Sequence, residues 1–222
     1  MIPISKPYIG QAEKQAVMDV LDSGMLAQGP KVAKLEEKFT EVCHTQYAIA
    51  TTSGTTALHV ALLAHDIGPG DEVITTAFTF MASVNSILFV GATPVFVDIE
   101  ADTFNINPAE IEAVITPKTK AILLVHLYGY PCNMDAIVNI AEKHGLINIE
   151  DACQAHLSEY QGKQLGTIGA LGCFSFQTSK TIACGEGGAI IGDDETLMDQ
   201  CYTVHNHGTS RRGRTEVIGP KY

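Results

Sequence analysis

The sequence predicts an α/β fold, with a mostly parallel, seven-stranded sheet and helices on both faces. Three observations predict it. From residue 47 onward, short apolar runs alternate with runs of helical length, the rhythm of repeated strand–helix units joined by right-handed crossovers. Several of the short runs, AILLVHL at 121–127 the clearest, are continuously apolar, as strands buried on both faces are. The 222 residues are 45% hydrophobic, enough for a sizeable core and too apolar for a disordered chain.

The elements follow in order. Residues 10–23 and 30–43 read as helices; in the second, Val32, Leu35 and Phe39 share one face. Between them LAQGP is a turn, where Gly29 breaks one helix and Pro30 opens the next. YAIAT is a strand and SGTTALHVALLA a helix; EVITT a strand and TFMASVNSILFV a helix. TPVFVDI is a strand and PAEIEAVI a helix; AILLVHL a strand and MDAIVNIAEKH a helix; LINIE is a strand. After Asp151 the rhythm changes. EYQGKQLG reads as a short hairpin around Gly162, CFSF and GAIIG as two further strands, and Asp194 to about His205 as a helix. The end, SRRGRTEVIGPKY, has no core pattern and reads as an excursion that expects more chain after it.

A net charge of −11 with only 14 Lys and Arg disfavours nucleic-acid and membrane-surface partners. An anionic ligand stays open, because backbone amides bind phosphate without net basic charge. The six cysteines (Cys43, Cys132, Cys153, Cys173, Cys184 and Cys201) show no C-x-x-C spacing, so they read as buried free thiols in a reducing compartment and not as a zinc or redox site. MIPISKPYIG lacks a signal peptide's apolar stretch, and no run of 18 or more apolar residues occurs. A cytoplasmic protein is expected, with no bound metal.

Four stretches carry chemistry. In TTSGTTAL, 51–58, a strand ends, Ser53-Gly54 turns the chain and Thr55-Thr56 open a helix. Free amides at such a start bind anions, though plain N-capping by Ser53 or Thr55 fits the same residues. No G-K-[ST] follows, so this is not a Walker loop. In LINIEDACQAH, an apolar strand runs into Glu150-Asp151, and ligands of open α/β sheets sit outside the carboxyl ends of strands. Asp151 either holds a cationic group or caps the next segment. Gln154 can reach the same crevice, whereas His156 reads as a hydrogen-bonded structural histidine. In CFSFQTSKTIACGEGGAI, 173–190, Lys180 sits between an apolar strand and glycines 185, 187 and 188. A lysine that loses solvation there becomes a better nucleophile and base; the alternative is a surface lysine before a turn. Ser175, five residues earlier, can donate to an anion. In AFTF, 77–80, Phe78 or Phe80 either stacks on a planar ring or joins the core. Together these describe a phosphate cradle, an aromatic lid, an aspartate and a lysine at the strand ends of one sheet. The ligand that uses all four is pyridoxal phosphate, whose aldehyde takes a lysine and whose pyridinium nitrogen takes a carboxylate.

The chain resembles the DegT/DnrJ/EryC1/StrS family of nucleotide-sugar aminotransferases, of fold type I. The matching stretches are SGMLAQGPKVAKLEEKF, TTSGTTALHVAL, GDEVITTAFTFMASVNSILFVGATPVFVDIE, HLYGYPCNMDAI, IEDACQAH and CFSFQTSKTIACGEGGAIIGDD, in family order over about residues 20–208. The resemblance implies that Lys180 carries the cofactor and moves the proton between substrate and cofactor, and that Asp151 keeps the pyridine nitrogen protonated. It further implies that Gly54, Thr55, Thr56 and Ser175 hold the phosphate, that Phe80 stacks on the ring and that Gln154 lies near its 3-hydroxyl. The implied reaction moves an amino group, with glutamate as the implied donor, to a keto-sugar nucleotide. An amino-cyclitol precursor or another small ketone is the alternative acceptor, and a non-catalytic cofactor-binding domain the alternative role. One branch of the family replaces the lysine with histidine and dehydrates its sugar; Lys180 implies transamination. A homodimer with sites at the interface is implied as well. Residues 1–222 would form the large, cofactor-binding domain, including the helices within 1–46, with a smaller C-terminal domain missing. In TVHNHG, 203–208, the basic residue that relatives often carry before NHG is absent.

Overall fold

The computed structural model describes residues 5–210, so the expected excursion at the end of the chain falls almost entirely outside the described residues. Two helices open the fold, α1 (Gln11–Ser23) and α2 (Pro30–Cys43), the second started by Gly29 at the N-cap and Pro30 at the first helical position. Of the face expected to be buried on α2, only Phe39 is; Leu35 stays exposed.

Strands and helices then alternate as expected: β1 (Tyr47–Thr51), α3 (Gly54–Ala64), β2 (Glu72–Thr76), α4 (Met81–Phe89), β3 (Thr93–Val97), α5 (Pro108–Ile111), β4 (Thr119–Val125), α6 (Met134–His144) and β5 (Ile147–Asp151). The expected helix PAEIEAVI closes early, with a 3₁₀ turn over Glu112–Val114 and Ile115 extended. Pro117 accounts for this, since it disfavours helical backbone at Thr116 and leaves no room for another turn. The hairpin forms as β6 (Glu159–Tyr160) and β7 (Lys163–Gln164), turning at Gln161 and Gly162, both with positive φ. β8 (Leu171–Ser175), β9 (Gly188–Gly192) and α7 (Glu195–His205) complete the described residues.

The seven long strands form one sheet in the order β1-β9-β8-β5-β4-β2-β3. β3, β2, β4, β5 and β8 run parallel; β9 is antiparallel to both of its neighbours, so β1 points the same way as the other five. Strand side chains alternate between two cores. Ile49, Val73, Leu123, Ile149, Cys173 and Ile190 pack with α3, α4 and α7 on one face. On the other, Ile74, Ile122 and Leu124 pack with α5 and α6, while Ala48, Phe174 and Ile191 pack with Phe39 of α2. The edge strand β1 is protected where the Ala50 N–H donates to Glu36 Oε1 at 2.9 Å.

Candidate active site

The sheet's directions bring the chemistry together. Because β1, β2, β5 and β8 are co-directional, Asp151 and Ser175, which end β5 and β8, and Ser53 and Phe78 to Phe80, which follow β1 and β2, all lie at its carboxyl edge. Lys180 lies on the connection from β8 to β9, which reverses direction, so it sits at that edge too.

The start of α3 is built by Ser53. Its Oγ accepts the Thr56 N–H at 3.1 Å, and its own N–H donates to Thr56 Oγ1 at 3.0 Å. Thr56 Oγ1 also donates to the Ser53 carbonyl at 2.7 Å, so this hydroxyl is part of the cap and not free for a ligand. The Gly54 and Thr55 amides and the Thr55 hydroxyl have no partner among the described residues. The helix end presses directly on the sheet. A Cβ at Gly54 would lie 2.6 Å from Cys153 Sγ and 2.7 Å from Ser175 Cβ, and one at Gly188 would lie 2.5 Å from the Ser53 carbonyl. Only glycine permits these approaches. Ser175 is buried beside this helix end, and its Oγ accepts the Gln177 N–H at 3.3 Å, which leaves its own proton to donate.

Asp151 is 5% exposed at the end of the central strand β5. Ser83 Oγ donates to its Oδ2 at 2.7 Å, and the Cys153 N–H to its Oδ1 at 3.2 Å. Ser83 Oγ and Thr79 Oγ1 lie 2.9 Å apart; since Ser83 gives its proton to Asp151, Thr79 donates to Ser83. Asp151 is thus an oriented acceptor, served by α4 from one side and by its own turn from the other. Nothing in the run ASVNS singled out Ser83. Glu150 beside it faces away and is wholly buried: it accepts the N–H groups of Gly166, Ile168 and Gly169 and pairs with His126 Nε2 at 2.9 Å.

The loop around Lys180 is stapled. Phe176 N–H donates to the Gly187 carbonyl, Thr178 N–H and Oγ1 to the Gly185 carbonyl, and the Lys180 N–H to the Gln177 carbonyl at 2.8 Å. Its side chain is half-buried, with no hydrogen bond or ion pair among the described residues. Its charge is felt at two neighbours. The Cys153 thiol is pushed well up by burial and then by Asp151, with Lys180 opposing. His156 is pulled down to about 4, first by burial and then by Lys180. His156 is also a correction: its buried ring packs against Phe174 and Phe176 at 5.6 and 5.7 Å, and neither nitrogen makes a hydrogen bond among the described residues, although the Ser175 backbone lies near enough to oppose the downward shift.

Phe80 stands at the N-cap of α4 with its ring 69% exposed, so at this position the core alternative does not hold. Phe78 is half-exposed and touches Phe104 at 5.7 Å. Gln154 Oε1 accepts the Tyr128 N–H at 2.8 Å. Five of the six cysteines are buried, while Cys184 is exposed, against expectation. No helix among the described residues is long and apolar enough to cross a membrane.

The sequence matches the DegT/DnrJ/EryC1/StrS aminotransferase family over residues 7–222. The chain belongs to that family. It is 46% identical over 210 residues to the spore coat polysaccharide biosynthesis protein SpsC of Bacillus subtilis (strain 168), covering 95% of this chain and 54% of that protein. It is 45% identical over 224 residues to the GDP-perosamine synthase of Escherichia coli O157:H7, covering 100% of this chain and 62% of that one. Among solved structures, the aminotransferase from Psychrobacter cryohalolentis superposes with a TM-score of 0.94 at 42% identity, over 98% of this chain and 60% of that one. S. venezuelae DesV, solved in complex with a ketimine intermediate, gives 0.91 at 40% identity, over 95% and 57%. A 3-amino-5-hydroxybenzoic acid synthase gives 0.92 at 34% identity, over 97% and 58%. The chain therefore spans little more than half the length of these relatives.

Proposed function

We propose that the chain forms the pyridoxal-phosphate-binding part of an aminotransferase that moves an amino group, glutamate's in the simplest case, to a keto-sugar nucleotide. The observation that carries this is Lys180, an amine without a protein partner among the described residues, stapled at the sheet edge that also bears Asp151 and the open start of α3. The family membership and the relative named for GDP-perosamine support the sugar-nucleotide acceptor.

The residues fit the cofactor. The phosphate suits the unpartnered amides of Gly54 and Thr55, the Thr55 hydroxyl and the spare proton of Ser175, at the positive end of α3. Thr56 contributes by holding that helix start in shape. Asp151, held by Ser83 and the Cys153 N–H, suits a protonated ring nitrogen, and Phe80 offers an exposed face for stacking. When bound, pyridoxal phosphate supplies an aldehyde for the amine and a ring that takes up electron density. Lys180 would hold the cofactor through Nζ, and as a free amine it would carry a proton to and from the reacting carbon. Asp151 would keep a proton on the ring nitrogen. The stapled loop fixes the backbone from which Nζ reaches into the site.

A homodimer with sites at its interface and a cytoplasmic location belong to the same proposal. The similarity to a 3-amino-5-hydroxybenzoic acid synthase supports one alternative acceptor, a small cyclic ketone. The test is borohydride reduction of the chain mixed with pyridoxal phosphate, then peptide mass mapping. The phosphopyridoxyl mass is expected on the peptide with Lys180 and absent from Lys180→Ala. A folded chain that takes no label at Lys180 overturns the proposal. Turnover of keto-sugar nucleotides against keto-cyclitols then separates the two acceptors.

A further inference from the structure

The segment HLYGYPC, His126–Cys132, follows β4 at the carboxyl edge, and the proposed reaction leaves it without a task. Tyr128 has φ 53° and ψ 20°, left-handed backbone that a residue with a Cβ adopts only when its surroundings impose it. Its own ring does not impose it, being 79% exposed. The surroundings do. Asn105, itself 1% exposed, accepts the Leu127 N–H at 3.0 Å and donates from Nδ2 to the Tyr130 carbonyl at 3.0 Å, gripping the turn on both sides of Tyr128. His126 Nδ1 accepts the Cys132 N–H at 3.2 Å, so Nε2 carries the proton and donates to Glu150 at 2.9 Å. The His126 N–H donates to the Asp151 carbonyl at 3.1 Å. A Cβ on Gly129, where φ is 84°, would lie 3.1 Å from the Gln154 carbonyl, so the turn rests closely on the segment after Asp151.

This over-determined turn delivers one N–H outward, that of Tyr128, and Gln154 Oε1 receives it at 2.8 Å. That contact settles the side-chain amide: its oxygen is engaged, and its Nε2–H donors have no acceptor among the described residues. We infer that the His126–Cys132 turn is a positioning device that fixes the Gln154 amide in one orientation, so that Gln154 offers only hydrogen-bond donors to an anionic acceptor in the Lys180–Asp151 crevice. Tyr128, Asn105, His126 and Glu150 are positioning residues; Gln154 alone reaches the ligand. The same turn ties down Asp151 through its carbonyl, so one bracket sets two neighbouring groups of the site. The inference rests on the proposed pyridoxal phosphate site for the identity of the acceptor and on the hydrogen bonds alone for the bracket.

The test has two arms on the full chain. Without cofactor, amide hydrogen exchange at Tyr128 is expected to quicken at least tenfold in Gln154→Ala and in Asn105→Ala. It should stay slow in Gln154→Glu, whose carboxylate still accepts, and in Tyr128→Gly, which keeps the N–H and relieves the strain. With pyridoxal phosphate, the pH midpoint of the bound chromophore's absorbance is read. Losing a donor to an anion raises that midpoint, by about one unit for Gln154→Glu. Asn105→Ala should raise it by less, and Tyr128→Gly not at all. Unchanged exchange at Tyr128 in Gln154→Ala overturns the bracket. An Asn105→Ala chain that melts lower but keeps the wild-type midpoint makes the turn structural only, and overturns the inference as well. A wild-type chain with no titrating absorbance defeats the proposed cofactor site instead, and the exchange arm still decides whether the turn holds Gln154.

Discussion

At Gly54 a single added carbon would meet sulfur on one side and a serine Cβ on the other. Gly54→Ala is expected to cost about 1–3 kcal/mol as overpacking, read from urea melts, and to weaken pyridoxal phosphate binding, because relief can come only by lifting α3 off Ser175. His156 is the other residue whose surroundings set its behaviour. Its pKa in the fold, about 4, lies below the ordinary 6.5. The unfolded chain therefore binds this proton more readily. The stabilisation is full above pH 6.5 and is lost as pH falls from there towards 4. Between pH 7 and pH 5 that amounts to about 2 kcal/mol. His156→Phe, which suits a ring already packed on Phe174 and Phe176, should remove that part of the pH dependence without loss at pH 7. Equal pH dependence in both proteins would refute the assignment. The histidine was legible as structural in the sequence, but its lack of partners was not. That property belongs to Phe174 in β8 and Phe176 just beyond it, which approach the ring from a distant part of the chain.

Two adjacent threonines open α3 and carry out different work. Thr56 closes the capping box with Ser53, whereas the Thr55 hydroxyl is free among the described residues. Thr56→Val should lower stability by about 1 kcal/mol, the usual size of a lost cap, and affect cofactor affinity only through the helix start. Thr55→Val should leave the urea midpoint in place and weaken pyridoxal phosphate binding. Fluorescence titration beside a urea melt distinguishes them, and the reverse result would exchange their roles. In the sequence TTSGTT both threonines read alike as phosphate ligands, because a cap and an anion site use the same residue types at a helix start. The choice between them is made by side-chain rotation, on which spacing is silent.

The whole sheet depends on β9. It is the antiparallel strand that joins β1, from the start of the chain, to β8, more than a hundred residues later, and it also returns the Lys180 loop to the core. Ile190 pairs with Ile49 and Cys173 and is fully buried. Ile190→Ala should cost about 2–5 kcal/mol. Hydrogen exchange should quicken in β1 and β9 together and least in β2 and β4, which pair elsewhere. Uniform quickening would show that the sheet opens only as one unit.

The sequence by itself determined the alternation of strands and helices, the seven strands, and the four stretches that carry Gly54, Phe80, Asp151 and Lys180. Local pattern suffices for these, since strand burial, helix starts and turn residues are written within a dozen residues. It determined none of the contacts that join the parts of the candidate site. Ser83 reaching Asp151, Glu150 gathering the 166–169 turn, Cys153 touching the Gly54 helix start and Tyr128 holding Gln154 all join segments that only the sheet order brings together. Strand order is set by which apolar faces pack best in three dimensions, and a hydrogen bond between distant residues leaves no mark on the neighbours of either. The tertiary structure therefore decided the orientation of each candidate group, and with it which of the legible residues are free to take the proposed roles.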